Sequence, residues 1–204
     1  MGSVMTKQKM NLVIIGKGPS ADNYNPETLP SNSYVVTINE AANVFPCQAV
    51  TSNDHECINR IQKSVANKLL LITLRYPFLQ YTQQNVPLQE DQKKKFKEYV
   101  ALQTNFQKIN IDVNEPILQI QFSSVEVALH WFCHYGLPKY KIIESVKFYG
   151  VSRPPFINEN NRYSSKIITD SKNVLPYNID RQKGQYYKLL QILKKYNIHT
   201  YSFN

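Results

Sequence analysis

The residue types best suited to chemistry stand together in a glycine-rich turn near the start of the chain. Residues 16–21, here called the glycine turn, read Gly-Lys-Gly-Pro-Ser-Ala and follow an apolar segment, which matches the G-x-G-x-x-A spacing of dinucleotide-binding turns. The backbone N–H groups of such a turn and the Ser20 hydroxyl can cradle a phosphate without a helix behind them. Residues 22–30 contain two prolines and no apolar stripe, so we expect no long helix there. A tight turn without a ligand is the alternative.

Polar residues also end the next two apolar segments. Asn39 follows segment 33–38, and Asn53 follows segment 48–52. The carboxyl ends of parallel strands meet at one edge of a sheet, where open α/β sheets bind ligands, so these residues should lie near the glycine turn. Ser123 and Ser124 stand at a predicted helix start and would add hydroxyl and N–H donors. The sequence thus predicts a site for a phosphate-bearing ligand formed by Gly16, Gly18, Pro19, Ser20, Asn39, Asn53, Ser123 and Ser124.

Other reactive residues have less informative patterns. His130 and His134 lie one helical turn apart around Cys133, but the segment lacks the Glu of the H-E-x-x-H zinc motif. The intervening Trp131 and Phe132 indicate a packed helix, so we expect no metal there and a buried Cys133. The chain has no G-x-S-x-G segment to support hydrolysis.

The elements that must position these residues alternate between strand and helix. Short apolar segments predict strands at 11–16, 33–38, 48–52, 68–74, 146–150 and 198–203. Apolar residues at 3-4 spacing predict helices at 54–66, 90–106, 123–135 and 181–196. This alternation predicts a single Rossmann-like α/β domain with a mostly parallel sheet. We expect a tag or flexible terminus at 1–10, the domain at 11–204, and an inserted helical or loop lid within 76–116.

Composition and charge narrow the class of protein. The chain has 204 residues, three Cys and a formal net charge of +9. With no leader-like segment and no apolar stretch near the ~18 residues of a membrane span, we expect a cytoplasmic protein without a transmembrane segment. The positive charge favours anionic partners, among them nucleotides, acidic glycans and nucleic acid, although composition alone could account for it. The basic run at 93–97 indicates either a solvated helix face or a binding surface.

The order of these motifs resembles the bacterial sialyltransferases of glycosyltransferase family 42 and the related pterin-pyrophosphokinase-like proteins. The shared features are a strand ending in G-x-G-P-S and later strands ending in Asn39 and Asn53. Residues 122–125 resemble the family's Ser-containing helix start, and residues 148–152 resemble its strand that ends in Ser-Gly-Ile-Asp. The resemblance covers most of residues 11–203. It implies a GT-A-like, sialyltransferase-type fold.

The resemblance also implies roles for residues later in the chain. The family's general base is a His before the last helix, and Asp180 stands at that place here. A carboxylate can take a proton from an acceptor hydroxyl. Helix capping is the alternative role of Asp180. Ser152 replaces the family's strand-end Asp. The tyrosines that hold the leaving phosphate correspond to Tyr149, Tyr163 and Tyr177, with packing as their alternative role, and Arg153 could also balance the phosphate charge.

The function implied by this resemblance is transfer of a sugar, with inversion, from a nucleotide-sugar donor, CMP- or UDP-linked, to an acceptor hydroxyl. The acceptor would be a glycan or a modified base in viral DNA. The chain contains no Asp-x-Asp metal motif, so we expect a metal-independent reaction and no cofactor. Self-association into a homo-oligomer stays open. The alternatives are a pyrophosphokinase-like phosphotransferase, with Asp22, Asp54 and Glu56 as metal ligands, and a non-catalytic protein that binds nucleotides or nucleic acid.

Overall fold

The described part of the chain forms one parallel sheet. A computed structural model describes residues 8–52, 55–74, 90, 94, 97, 101, 104–111, 123–135, 142–151, 164–167 and 179–204. The strands are β1 (Lys9–Ile15), β2 (Ser33–Ile38), β3 (Ala49–Thr51), β4 (Leu70–Leu74), β5 (Gln107–Ile111), β6 (Ile142–Tyr149) and β7 (Tyr201–Phe203). The seven strands lie in the order β5-β4-β3-β2-β1-β6-β7, and every described pairing is parallel.

Four helices are described over their whole length, together with short 3-10 turns and the helical residues 90, 94, 97 and 101. The helices are α1 (His55–Asn59), α2 (Lys63–Ala66), α3 (Ser124–Tyr135) and α4 (Ile179–Lys195), and 3-10 turns occupy Pro19–Asn23, Pro26–Thr28 and Asn39–Asn43. Within these ranges, no helix is long and apolar enough to cross a membrane. The alternation of parallel strands and helices confirms the predicted α/β fold class.

The central strand β1 is buried on both faces, as expected for a parallel sheet covered by helices. Leu12 and Ile14 pack in a cluster with residues of α3 and α4, whereas Val13 and Ile15 pack on the opposite face with Tyr24. The buried side chains that α3 and α4 contribute to the first cluster include Leu129, Trp131, Phe132, Leu189 and Leu193. This packing fixes the carboxyl end of β1, from which the glycine turn begins.

Several predicted element boundaries were wrong, among them the start of β6, which begins at Ile142 rather than at residue 146. The helix expected at 54–66 is broken between α1 and α2, where Asn43 Oδ1 accepts a hydrogen bond from Gln62 N–H at 2.9 Å and Asn43 Nδ2 donates to the Arg60 carbonyl oxygen at 2.8 Å. The helix expected to continue to residue 106 ends earlier, because residues 104 and 105 form a turn. The last strand begins at residue 201 rather than 198.

One strand was missed altogether. β5 has the sequence QKINI and pairs in parallel with β4 at the edge of the sheet. A five-residue segment with so many polar residues lacks the apolar run that identified the central strands. Because β5 lies within 76–116, part of the predicted insertion belongs to the sheet, and β1 likewise begins at Lys9, before the predicted start of the domain at residue 11.

Candidate functional site

The sheet topology places the glycine turn at a switch in strand order. From β1 the chain continues to β2 on one side, and it later returns to β6 on the other side of β1. In open α/β sheets, ligands bind outside the carboxyl ends of the strands at such a switch in direction. The residues at that position are Gly16 to Ser20 after β1 and Gly150 and Val151 after β6.

The glycine turn is bound directly to the end of β6. Gly18 N–H donates to the Gly150 carbonyl oxygen at 2.9 Å, and Ser20 Oγ accepts from Gly150 N–H at 2.8 Å. Gly16 N–H donates to the Tyr149 carbonyl oxygen at 2.7 Å. The N–H groups of both glycines are therefore engaged with β6, so a phosphate at this turn would have to contact other groups.

Glycines are needed here because the two backbones approach each other closely. A Cβ on Gly18 would lie 2.9 Å from the Gly150 carbonyl oxygen, and Gly150 itself has φ of +62°. That backbone conformation disfavours residues with a Cβ. After the turn, a 3-10 turn at Pro19–Asn23 replaces a long helix, which confirms the expectation from the proline-rich sequence.

The carboxyl end of β2 has an unusual backbone. Asn39 has φ of +56°, a left-handed conformation that Asn tolerates better than most residues. Its Oδ1 atom is buried and accepts no hydrogen bond from the described residues. Non-glycine residues held in this region often mark binding or catalytic sites. Asn39 therefore stays a candidate for the predicted site, while Asn53 lies outside the described residues.

The neighbouring strands add polar groups at the same edge. Ile38 pairs with Thr51, so the residues that follow β2 and β3 are neighbours. Thr51 and Ser52 are fully buried, and Thr73 Oγ1 donates to the Ser52 carbonyl oxygen at 2.6 Å. The polar groups that follow β2 and end β3 therefore lie at the same edge of the sheet.

An ion-pair group at this edge was not predicted from the sequence. Glu40 is only 4% exposed, and its Oε1 atom lies 3.1 Å from Lys17 Nζ and 3.7 Å from Arg60 Nη1. Lys17 is the residue between the two glycines, and its side chain is 18% exposed. The sequence features that could have indicated this group are a basic residue within the G-x-G turn and an acidic residue directly after Asn39. The group links the glycine turn to the end of β2.

Asp22 anchors a distant segment to the same turn. Its carboxylate accepts hydrogen bonds from the Ser164 hydroxyl and, at 3.0 Å, from Ser165 N–H. These bonds, that of Ser164 foremost, lower the pKa of Asp22 below its usual value. Both carboxylate oxygens thus bind the protein itself, which leaves Asp22 poorly suited to the metal-ligand role considered from sequence.

The serines before α3 form a helix cap. Glu126 N–H donates to Ser123 Oγ at 3.3 Å, and Ser123 N–H donates to Glu126 Oε2 at 3.4 Å, the reciprocal pattern of a capping box. Ser124 is the first residue of α3. A helix that connects parallel strands runs antiparallel to them, so α3 begins near the edge where the strands end. The capping role explains the Ser123 side chain without a ligand.

The remaining predicted site residues are only partly described. Tyr149 is 8% exposed and packs edge-on against Tyr24, with ring centroids 5.6 Å apart, so its ring belongs to the core below the glycine turn. Asp180 lies in the first turn of α4. The other candidates, Ser152, Arg153, Tyr163 and Tyr177, lie outside the described residues.

The two histidines of α3 contact Tyr196, the residue that follows α4. The Tyr196 hydroxyl lies 3.2 Å from His130 Nδ1 and 3.4 Å from His134 Nδ1. Burial, with smaller contributions from Lys195 and His134, lowers the pKa of His130 to about 4. Burial also raises the pKa of the Cys133 thiol to about 12, which is typical of an unreactive packed cysteine.

Comparisons with known proteins found similarity to solved structures. No protein-family model and no curated protein matches the chain. The chain is similar to the sialyltransferase CstII from Campylobacter jejuni in complex with the substrate analogue cytidine-5'-monophosphate, with 16% identity, a TM-score of 0.48, and coverage of 99% of this chain and 81% of that one.

Two further structures give similar values. The sialyltransferase CST-II in complex with trisaccharide acceptor and CMP has 16% identity, and CstII from Campylobacter jejuni in complex with CMP-3FNeuAc has 14%. Each has a TM-score of 0.45. In both comparisons the aligned region covers 95% of this chain and 80% of the other chain.

Proposed function

We propose that this protein is a glycosyltransferase that transfers a sugar from a nucleotide-sugar donor to an acceptor hydroxyl. The observation that carries the proposal is the position of the G-x-G-P-S turn at the switch between β1 and β6, beside the left-handed Asn39 at the end of β2. This is where an open α/β sheet binds a nucleotide. The motif order described from sequence indicates which class of nucleotide ligand is expected.

The cationic side chains beside the glycine turn can stabilise the phosphate of a departing nucleotide. When the bond between the sugar and its phosphate breaks, negative charge develops on the phosphate, and nearby cations or hydrogen-bond donors stabilise it. Lys17 lies in the glycine turn and Arg60 lies across Glu40 from it, so two cationic side chains are held at this edge. These two residues join Arg153, Tyr163 and Tyr177 as candidates for that task.

The transfer itself needs a base for the acceptor hydroxyl. With inversion, the acceptor oxygen attacks the sugar carbon as the nucleotide leaves from the opposite face, and the base takes the hydroxyl proton. Asp180, in the first turn of α4, is our candidate. Because Lys17 can supply positive charge beside the phosphate, we propose that the reaction proceeds without a metal ion.

We propose a glycan as the acceptor. A modified DNA base is the alternative suggested by the basic run, in which Lys94 and Lys97 are exposed. Exposed lysines on a helix are equally expected of a solvated face. DNA binding, if it occurs, should weaken steeply with salt because bound phosphates release their counterions.

The pyrophosphokinase alternative gains no support among the described residues. It needs acidic ligands for Mg²⁺, and the carboxylate of Asp22 is bound by Ser164 and Ser165. Asp54 and the Glu56 side chain, the other ligands considered from sequence, lie outside the described part.

Ligand-induced stabilisation tests the donor class. Nucleotides and nucleotide sugars should be compared by thermal shift, with and without Mg²⁺, because a ligand that binds only the folded state stabilises it by about 2.7 kcal/mol at a hundred times its Kd. We expect stabilisation by one nucleotide family without Mg²⁺. Asn39→Gly should abolish the shift, since Gly keeps the positive φ but removes the amide. The matched control is Asn32→Ala at the opposite end of β2, where Asn32 Oδ1 accepts from Asn11 Nδ2 at 2.8 Å.

Turnover separates an enzyme from a binding protein. The donor identified in this way should be incubated with oligosaccharides and with DNA carrying hydroxymethylated pyrimidines, and transfer should be followed by mass spectrometry. Asp180→Asn should retain donor binding and lose transfer. A full rate in this variant eliminates Asp180 as the base, and donor binding without transfer to any acceptor favours the non-catalytic alternative. No stabilisation by any nucleotide contradicts the proposed function.

A further inference from the structure

A segment distant in sequence lies directly against the glycine turn. Ser164 N–H donates to the Lys17 carbonyl oxygen at 2.7 Å, and the Ser164 hydroxyl and Ser165 N–H both donate to the Asp22 carboxylate. Ser164 Oγ also accepts from Lys166 N–H at 3.2 Å, which folds the segment onto itself. We call residues 164–167 and the Asp22 side chain the clasp.

Apolar contacts complete the clasp. Ile167 is 7% exposed and packs in the same cluster as Tyr24 and Tyr149, below the glycine turn. The Lys166 ammonium lies 5.8 Å from the centroid of the Phe45 ring, within reach of a cation–π contact, and donates to the Asp22 carbonyl oxygen at 3.4 Å. The segment is therefore docked by a buried side chain as well as by hydrogen bonds.

The glycine turn is consequently held from two sides. The end of β6 binds it through Gly18 and Ser20, and residues 164–167 bind it through the Lys17 carbonyl oxygen and through Asp22, the residue that follows the turn. A turn that is ordered before the ligand arrives loses less conformational entropy on binding, which increases affinity. A turn bound only by β6 would retain freedom at Lys17, the residue between the two glycines.

We propose that Asp22 is a positioning residue: by docking residues 164–167 onto the backbone of Lys17, it holds the glycine turn in the shape that binds the nucleotide. The inference rests on the proposed function, because it concerns the same nucleotide. Asp22 touches no reacting atom in this account. Its removal should therefore raise the KM for the donor and leave kcat nearly unchanged.

A double-mutant cycle on nucleotide affinity tests the proposal. The nucleotide that stabilises the parent protein should be titrated by calorimetry into Asp22→Ala, Ser164→Ala and the double variant. Each single variant should bind about tenfold more weakly, because the charge-assisted hydrogen bond is lost. The loss of affinity in the double variant should be smaller than the sum of the two single losses, because both substitutions remove the contact between Asp22 and Ser164. Asp22→Asn keeps one acceptor oxygen and should be intermediate.

The matched control lies three residues away. In the next turn, Asn25 Oδ1 accepts from Glu27 N–H at 3.0 Å, and none of its described hydrogen bonds involves residues 164–167. Asn25→Ala removes a similar hydrogen bond, so it should bind the nucleotide as the parent does. Ser164→Ala keeps the test decisive if Asp22→Ala does not fold.

Hydrogen exchange without ligand separates this inference from the proposed function. In Asp22→Ala, the amides of residues 164–167 should exchange at least tenfold faster than in the parent. Unchanged exchange, unchanged affinity, or additive effects in the cycle would overturn the positioning role even if the parent binds a nucleotide. Failure of the parent to bind any nucleotide overturns the proposed function, and with it the role of Asp22 in binding, whatever the exchange rates show.

Discussion

The close approach of β6 to the glycine turn predicts a large effect of a single added methyl group. Gly150 has φ of +62°, and a non-glycine residue in that conformation costs about 1–2 kcal/mol. Its Cβ would also lie 2.8 Å from the Gly16 carbonyl oxygen and 2.9 Å from Gly18 N, so the backbone must move. That movement weakens the hydrogen bond from Gly18 N–H, which contributes about 1 kcal/mol. We expect Gly150→Ala to lower the free energy of unfolding by about 2–4 kcal/mol.

Urea denaturation followed by far-UV circular dichroism measures this loss. In thermal denaturation, the same loss should appear as a decrease in Tm of roughly 4–16 °C for a chain of this size. The matched control is Gly184→Ala in α4, where an added Cβ meets no atom within 4 Å. Because Ala favours helix more than Gly does, this control should gain up to about 1 kcal/mol.

The two glycine variants should therefore change stability in opposite directions. A Gly150→Ala protein as stable as the parent would refute the close packing of β6 on the glycine turn. If Gly184→Ala lost as much stability as Gly150→Ala, the loss would reflect a general sensitivity to substitution and the packing argument would fail.

Three other predictions follow from the described contacts. The pKa of His130 is lowered to about 4 in the folded protein, so the unfolded chain binds a proton first as the pH falls below 6.5. The free energy of unfolding should therefore decrease between pH 6.5 and pH 4, by up to about 3 kcal/mol. Denaturation at several pH values should show this slope reduced in His130→Gln and kept in His199→Gln, and equal slopes would contradict it. Glu40→Gln should lower the free energy of unfolding by about 2–4 kcal/mol, because Glu40 is 4% exposed and partners two cations. Glu144→Gln, which loses only an exposed ion pair, should stay within about 0.5 kcal/mol of the parent in the same urea assay, so similar losses would argue against a buried pair. Asn39→Gly should retain most of the stability of the parent, since Gly accepts the positive φ, and a loss above about 2 kcal/mol would show that the side chain is structural.

Local sequence patterns were sufficient for the central elements and for part of the site. The strands β1, β2 and β4 were predicted because continuous apolar runs are required where a parallel strand is covered on both faces. The absence of a long helix after the glycine turn followed from Pro26 and Pro30, and the start of α3 followed from Ser123 and Ser124. β5 was missed because an edge strand needs little apolar sequence when pairing with β4 supplies its stability.

The sequence by itself determined the alternation of strands and helices, the glycine turn and the polar residues at the strand ends, because each is set by residues close together in the chain. Only the tertiary structure decided what these residues do to one another. The N–H groups of Gly16 and Gly18 are engaged by β6, Glu40 partners Lys17 and Arg60, and Asp22 binds Ser164, a residue 142 positions away. Contacts over such distances depend on strand order and on the return of the chain to β6, which local propensity and spacing do not specify.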